Sequence, residues 1–226
     1  MSERLAIVVG GGGELGRATA QALAATGYTV VAVDRNEQGL KELPDGIRRE
    51  VGDATDPAAA KRLIDKIAAE AGPPEVLVNT IGTFRLGEAA TATPEDLKLL
   101  MDVNLGTALW LSQAVAPYMR TGGKGSIVHV SARPGTDPTA GMAAYSLSKA
   151  ALSHLVRILD LELRPQGIRV NAVAPQLINT ALNRTLFPAD VLAHAVQPEA
   201  VANVITFLAG DLAAPVSGAI VPAYGA

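Results

Sequence analysis

Near the start of a chain of 226 residues, four consecutive glycines, Gly10 to Gly13, lead through Glu14 and Leu15 to Gly16. Five apolar residues of strand character, Leu5-Ala6-Ile7-Val8-Val9, precede the run, and a segment of helical period follows it. Glycine turns the chain tightly and leaves no Cβ in the path of an approaching group. Between a first strand and a first helix, such a bend collects backbone N–H groups at the positive helix end, where a diphosphate can sit.

The rest of the chain keeps this rhythm. Short β-branched runs predict strands at Leu5–Val9, Tyr28–Val33, Arg48–Val51, Val76–Asn79, Ser126–Val130, Arg169–Val173 and Ala219–Pro222. Helical periods between them predict helices over Glu14–Thr26, Pro57–Ala71, Pro94–Met119, Ala143–Leu163 and Pro198–Ala209. Three of these open on proline behind a polar residue (Asp56-Pro57, Thr93-Pro94, Gln197-Pro198), where the missing N–H costs nothing. Strands alternating with helices build a parallel sheet covered on both faces, so the expected fold is a three-layer, doubly wound α/β sheet of the Rossmann type. No repeat, low-complexity tract or linker divides the chain, and an apolar share of 49% suffices for one core. Residues 1–226 are therefore expected to form one domain.

Asp34 directly follows the second predicted strand, eighteen residues past Gly16. That is close to the spacing at which a carboxylate accepts hydrogen bonds from an adenosine ribose. A 2′-phosphate would meet like charge there, so NAD(H) is favoured; NADP(H) stays open because Arg17 and Arg35 can offset the repulsion. A net charge of −3 with scattered Lys and Arg provides no field for nucleic acid. The chain has no cysteine, which excludes disulfides, thiolate metal sites and a Cys nucleophile, so redox chemistry must come from a cofactor. His129, His154 and His194 lack the spacing of a shared metal site, and no metal is expected. Met1-Ser2-Glu3-Arg4 shows no leader pattern and no apolar stretch spans a bilayer. A cytoplasmic protein with a small-molecule partner is expected, without nucleic-acid or membrane partners.

With these landmarks in order, the chain resembles the short-chain dehydrogenase/reductase family over essentially its whole length. Tyr145-Ser146-Leu147-Ser148-Lys149 matches the family's Tyr-x-x-x-Lys pair, and Asn104 stands at a helix asparagine credited with holding a proton-relay water. Asp53, with Ala54 beside it, matches the carboxylate used on the adenine amino group, and Asn79-Thr80-Ile81-Gly82 is similar to the turn that closes over the adenosine. Pro175 to Thr180 resembles the segment covering the nicotinamide, with Ile178 and Thr180 at the positions that contact the carboxamide. The glycine loop and the resemblance together imply dinucleotide contacts from Gly10, Gly12, Gly13, Glu14, Leu15, Asp34, Arg35, Asp53, Ala54, Asn79, Gly82, Tyr145, Lys149, Pro175, Ile178 and Thr180. The resemblance also implies a homodimer or homotetramer and a short substrate lid over Asn183–Gln197, with Leu186, Phe187 and Leu192 as its apolar surface.

Residues four apart share a helix face, so the Tyr145 hydroxyl and the Lys149 ammonium can point into one cleft. A nearby cation favours phenolate and is expected to draw the tyrosine pKa down from about 10. Tyr145 would protonate a carbonyl oxygen or ring nitrogen as hydride is transferred, while Lys149 also holds the nicotinamide ribose.

The sequence departs from the family at two places that matter. Glu14 replaces the middle glycine of the loop, and the carbonyl-polarising serine falls on Ala132, thirteen residues before Tyr145. Ser131 lies one residue early, facing the other side of the strand unless a bulge turns it inward as a substitute donor. The loop, Asp34 and a non-serine residue followed by Arg133 resemble dihydropteridine reductases, whose ring substrate develops no alkoxide. Three functions follow as expectations. The first is an NAD(H)-dependent oxidoreductase of small carbonyls and alcohols using Tyr145, Lys149, Asn104 and Ser131. The second is a quinonoid dihydropteridine or similar ring reductase, and the third is a catalytically weak dinucleotide-binding regulator.

Overall fold

A computed structural model describes residues 4–225; Met1 to Glu3, scanned above for a leader, and Ala226 lie outside them. Seven parallel strands form one sheet: β1 Leu5–Val9, β2 Thr29–Asp34, β3 Arg48–Val51, β4 Pro74–Asn79, β5 Gly125–Val130, β6 Ile168–Pro175 and β7 Ile220–Ala223. Their spatial order is β3-β2-β1-β4-β5-β6-β7, the doubly wound order expected from the sequence. The order reverses between β1 and β4, which are paired in register from Ala6 with Val76 to Val9 with Asn79. The carboxyl ends of these strands open the crevice in which such folds bind ligands.

Parallel strands buried on both faces need apolar residues on both, and β1 supplies them, with every residue at most 1% exposed. Ile7 and Val9 face one core and Ala6 and Val8 the other. The first core is closed by α3 (Pro57–Ala71), α5 (Thr107–Gly122) and α6 (Ala143–Leu163). The second is closed by α1 (Glu14–Ala25), α2 (Glu37–Lys41) and α9 (Pro198–Ala209), which makes three layers. The expected proline starts hold at α3, α9 and α4 (Pro94–Leu100). Asp56 and Thr93 cap α3 and α4 by accepting the N–H groups of Ala59 and Asp96.

Several elements depart from the sequence expectation. Helix α2 was not anticipated: it is one short turn capped by Asn36, with Gly39 inside it and too few residues to show a period. The single helix expected over Pro94–Met119 is instead α4, a π-helical stretch over Met101–Gly106, and α5. That wider turn carries Asn104, fully buried, toward the crevice, as π segments commonly do at functional sites. Between β6 and α9 two short helices, α7 (Ala181–Leu186) and α8 (Ala189–Leu192), form a cover none of whose helical residues is buried.

Candidate active site

The glycine bend has the geometry a diphosphate cradle requires. Gly10 takes a left-handed φ of +86°, and a Cβ on Gly16 would stand 2.0 Å from the Gly10 carbonyl oxygen, so neither position admits a side chain without movement. The amides of Glu14, Leu15 and Gly16 lie in the first turn of α1, where no intrahelical carbonyl can reach them. Gly12 serves differently from the expected direct contact. Its amide donates to Asp34 Oδ2 at 2.9 Å and its carbonyl accepts from Arg17, so it fixes the carboxylate that ends β2. The other Asp34 oxygen accepts from the Asn36 amide at 2.8 Å.

Two cavities run outward from this bend. One, of about 420 Å³, is walled by Asp34, Arg35, Asp53, Ala54 and Thr55. The other, of about 780 Å³, holds Glu14, Leu15, Ala132, Tyr145, Lys149, Pro175, Ile178 and Thr180 on its walls. Gly10, Gly13, Thr80, Gly82 and Thr83 border both, so the two form one groove across the sheet reversal. Asp53 accepts from the Thr55 amide at 2.9 Å; that bond, then the Thr55 hydroxyl, outweighs burial and holds its carboxyl below the usual range, with Arg35 adding to the shift. Asn79 is a framework residue rather than a wall: its Oδ1 accepts from the Ile81 amide at 3.0 Å and its Nδ2 donates to Thr107 at 3.3 Å, shaping the turn that carries Gly82.

Tyr145 and Lys149 share a face of α6 and line the larger cavity, as their spacing predicts. Asn104 joins them through Ser148. Its Nδ2 donates to Ser148 Oγ at 2.9 Å, and that hydroxyl donates to the Tyr145 carbonyl at 2.8 Å. The Asn104 amide also clasps the Thr83 backbone, accepting from its N–H and donating to its carbonyl at 2.9 Å each. Gly82 permits this convergence, since a Cβ there would meet Asn104 Oδ1 and Lys149 Nζ at 3.3 Å each.

The electrostatics correct one expectation. The buried Lys149 ammonium donates to the Val130 carbonyl at 2.7 Å, and burial lowers its pKa to about 8. Burial likewise pushes the Tyr145 hydroxyl up to about 12, so the apolar surroundings outweigh the expected pull of Lys149 toward phenolate. Tyr145 is therefore a neutral phenol at neutral pH.

Ser131 was expected to face away from the cleft unless a bulge turned it inward. No bulge turns it inward. The preceding residue, Val130, pairs regularly with Val173, and the Ser131 hydroxyl lies 2.7 Å from Ser153 Oγ and 3.3 Å from the Lys149 carbonyl on α6. Its hydroxyl is engaged with α6, and Ser131 and Ala132, the latter with no donor, both line the larger cavity. The sequence reading also missed Phe84, whose ring stands 6.1 Å from both Tyr145 and Phe187, edge-on to the first and stacked on the second. Its position two residues past Gly82 was the available signal. Among the described residues no cluster could hold a metal ion, and no helix is long and apolar enough to cross a membrane.

The family model for short-chain dehydrogenases matches residues 4–190. Galactitol 2-dehydrogenase of Rhizobium johnstonii is 36% identical over 235 residues, covering 96% of this chain and 91% of its own length. The 3-oxoacyl-acyl-carrier-protein reductase FabG of Escherichia coli strain K12 is 32% identical over 230 residues, covering 95% and 93%. A short-chain type dehydrogenase/reductase from Mycobacterium ulcerans superposes with a TM-score of 0.90 at 27% identity, covering 98% of this chain and 89% of that one. The chain belongs to the short-chain dehydrogenase/reductase family and is an oxidoreductase of that family.

Proposed function

We propose that this protein is an NAD(H)-dependent oxidoreductase that interconverts small carbonyl and alcohol substrates within one domain, with Tyr145 as the proton donor and acceptor. The observation that carries the reading is the continuous groove with Asp34 and Asp53 at one end and Tyr145 and Lys149 at the other. The residues present fit a dinucleotide. Gly10 and Gly16 leave room at the bend, the first-turn amides of α1 suit a diphosphate, and the Asp34 carboxylate suits ribose hydroxyls while opposing a 2′-phosphate. Lys149 suits the second ribose, and Pro175, Ile178 and Thr180 the nicotinamide side. When bound, the nicotinamide supplies or takes up hydride.

In the reducing direction the neutral Tyr145 phenol gives its proton to the substrate oxygen; in the oxidising direction the phenolate takes one back. The Lys149 ammonium lies on the same helix face, where its charge stabilises phenolate as the proton leaves. Asn104 holds the Gly82–Thr83 turn against α6 and so keeps both groups aimed into the groove. Phe84 and Phe187 offer a flat apolar wall to the substrate.

That wall and the missing donor at Ala132 support a second reading, reduction of a pterin-like ring, whose nitrogen takes the Tyr145 proton without an alkoxide to stabilise. The galactitol and 3-oxoacyl relatives support the carbonyl and alcohol reading over it. The intact Tyr145–Lys149 pair speaks against a mere dinucleotide-binding regulator. Leu147, Ile158 and Leu161, exposed on α6, support a homodimer or homotetramer. NADH oxidation assayed against a ketone panel and a quinonoid dihydropterin decides between the substrates. Tyr145→Phe is expected to abolish turnover of whichever is used, and unchanged turnover rejects Tyr145 as the acid.

A further inference from the structure

Glu14 stands where a glycine would leave the loop bare, and its side chain has a definite destination. One carboxylate oxygen accepts from the Ala181 amide, the first residue of α7, at 2.6 Å; the other lies 3.9 Å from Arg184 Nη2 one turn further on. A carboxylate in this place satisfies an orphan helix-end donor and complements the positive end of α7.

The remaining side-chain hydrogen bonds of α7 stay within its own segment. Thr180 caps it through the Asn183 amide, Asn183 Nδ2 donates to the Ile178 carbonyl, and Arg184 donates to the Asn179 carbonyl and Oδ1. Among the described residues, Glu14 is the one hydrogen-bonding or ion-pairing partner of residues 181–186 outside the segment 178–187. None of the six helical residues is buried, so packing holds α7 weakly and the polar tie counts for more. The same Glu14 begins α1, directly beside the amides assigned above to the diphosphate.

We infer that Glu14 is a positioning residue that ties the substrate cover to the dinucleotide loop, so that one side chain sets where α7 sits over the larger cavity. The inference rests on the functional reading of the groove, but the contact itself is made between this chain's own residues. Replacing Glu14 by Ala removes both the acceptor and the Arg184 partner, whereas Gln keeps an acceptor for the Ala181 amide.

The test is limited trypsin digestion of the dinucleotide-free protein, scoring cleavage after Arg184 relative to cleavage after Lys61 on α3, which reports unfolding elsewhere. Losing a hydrogen bond to a charged acceptor raises the open population about tenfold, and cleavage follows that population when reclosing is fast. The relative Arg184 cleavage of Glu14→Ala is expected to rise by that factor, with Glu14→Gln falling between Ala and wild type. Substrate KM in Glu14→Ala is expected to rise more than kcat falls. A Glu14→Ala ratio equal to wild type overturns the tie. So does a rise that Lys61 cleavage matches, since the whole fold would then be opening. A parallel NADH titration of the wild type separates the two claims. Absence of NADH binding removes the functional reading and leaves the tie standing, while wild-type cleavage of Glu14→Ala removes the tie and leaves the functional reading standing.

Discussion

Restoring a hydroxyl at position 132 tests how this cleft handles charge on a substrate oxygen. Ala132 is extended, with φ −161° and ψ 157°, is 5% exposed, and shares the larger cavity wall with Tyr145 and Lys149. Ser131 lines the same cavity, with its hydroxyl bonded at 2.7 Å to Ser153. In Ala132→Ser the new hydroxyl adds one donor to an oxygen that gains negative charge, an interaction worth about 1.5–3 kcal/mol. That corresponds to a gain of roughly ten- to hundredfold in kcat/KM for ketone reduction. NADH oxidation followed at limiting ketone measures it, with a thermal melt and an NADH titration confirming that fold and cofactor affinity are retained. A kcat/KM equal to or below wild type in a variant that keeps its melting temperature and NADH affinity refutes the assignment of Ala132 as the vacant donor position.

Gly16→Ala places a Cβ 2.0 Å from a backbone oxygen, so it is expected to cost about 1–3 kcal/mol of stability and most of the NADH affinity, read by denaturant unfolding and by titration. Lys149 has its folded pKa lowered to about 8 from 10.5, so its buried charge costs stability below pH 8 and the cost fades as pH rises toward 10.5. At neutral pH that cost is about 3 kcal/mol. Losing the bond to Val130 offsets about 1 kcal/mol of it. Lys149→Met is therefore expected to melt higher than wild type at pH 7 while losing activity, with the gap narrowing above pH 8. His129 is fully buried, paired with Ser112 at 3.0 Å, and held neutral with a pKa lowered to about 3, by burial first and Lys149 second. Its unfolded form takes a proton below pH 6.5, so the stability it contributes is present above that pH and lost as pH falls toward 3. His129→Gln is expected to flatten the acid side of the stability profile measured by urea unfolding.

The inner strands β1, β2, β4, β5 and β6 were legible because they carry apolar residues on both faces, a pattern that burial between two helical layers imposes locally. The Tyr145–Lys149 pair was legible for a similar reason, since a helix face follows directly from spacing. What escaped the sequence depends on contacts between distant segments. The π stretch at Asn104 goes with hydrogen bonds to Thr83 and Ser148, and no local pattern announces it. The direction of the Ser131 hydroxyl is set by Ser153, a residue twenty-two positions away on α6. The Tyr145 pKa followed burial rather than the neighbouring cation, because spacing indicates which charges are near and says nothing of how much water is excluded. Glu14 read as an intrusion into the loop, and the structure directs its side chain out to α7.

The central claim is that the groove from Asp53 to Lys149 holds NAD(H). Calorimetric titration of the purified protein with NADH and with NADPH tests it most directly. The account predicts saturable binding of NADH, tighter than NADPH by about tenfold or more because the Asp34 carboxylate would oppose a 2′-phosphate. Failure of both dinucleotides to bind at millimolar concentration, or a clear preference for NADPH, contradicts it.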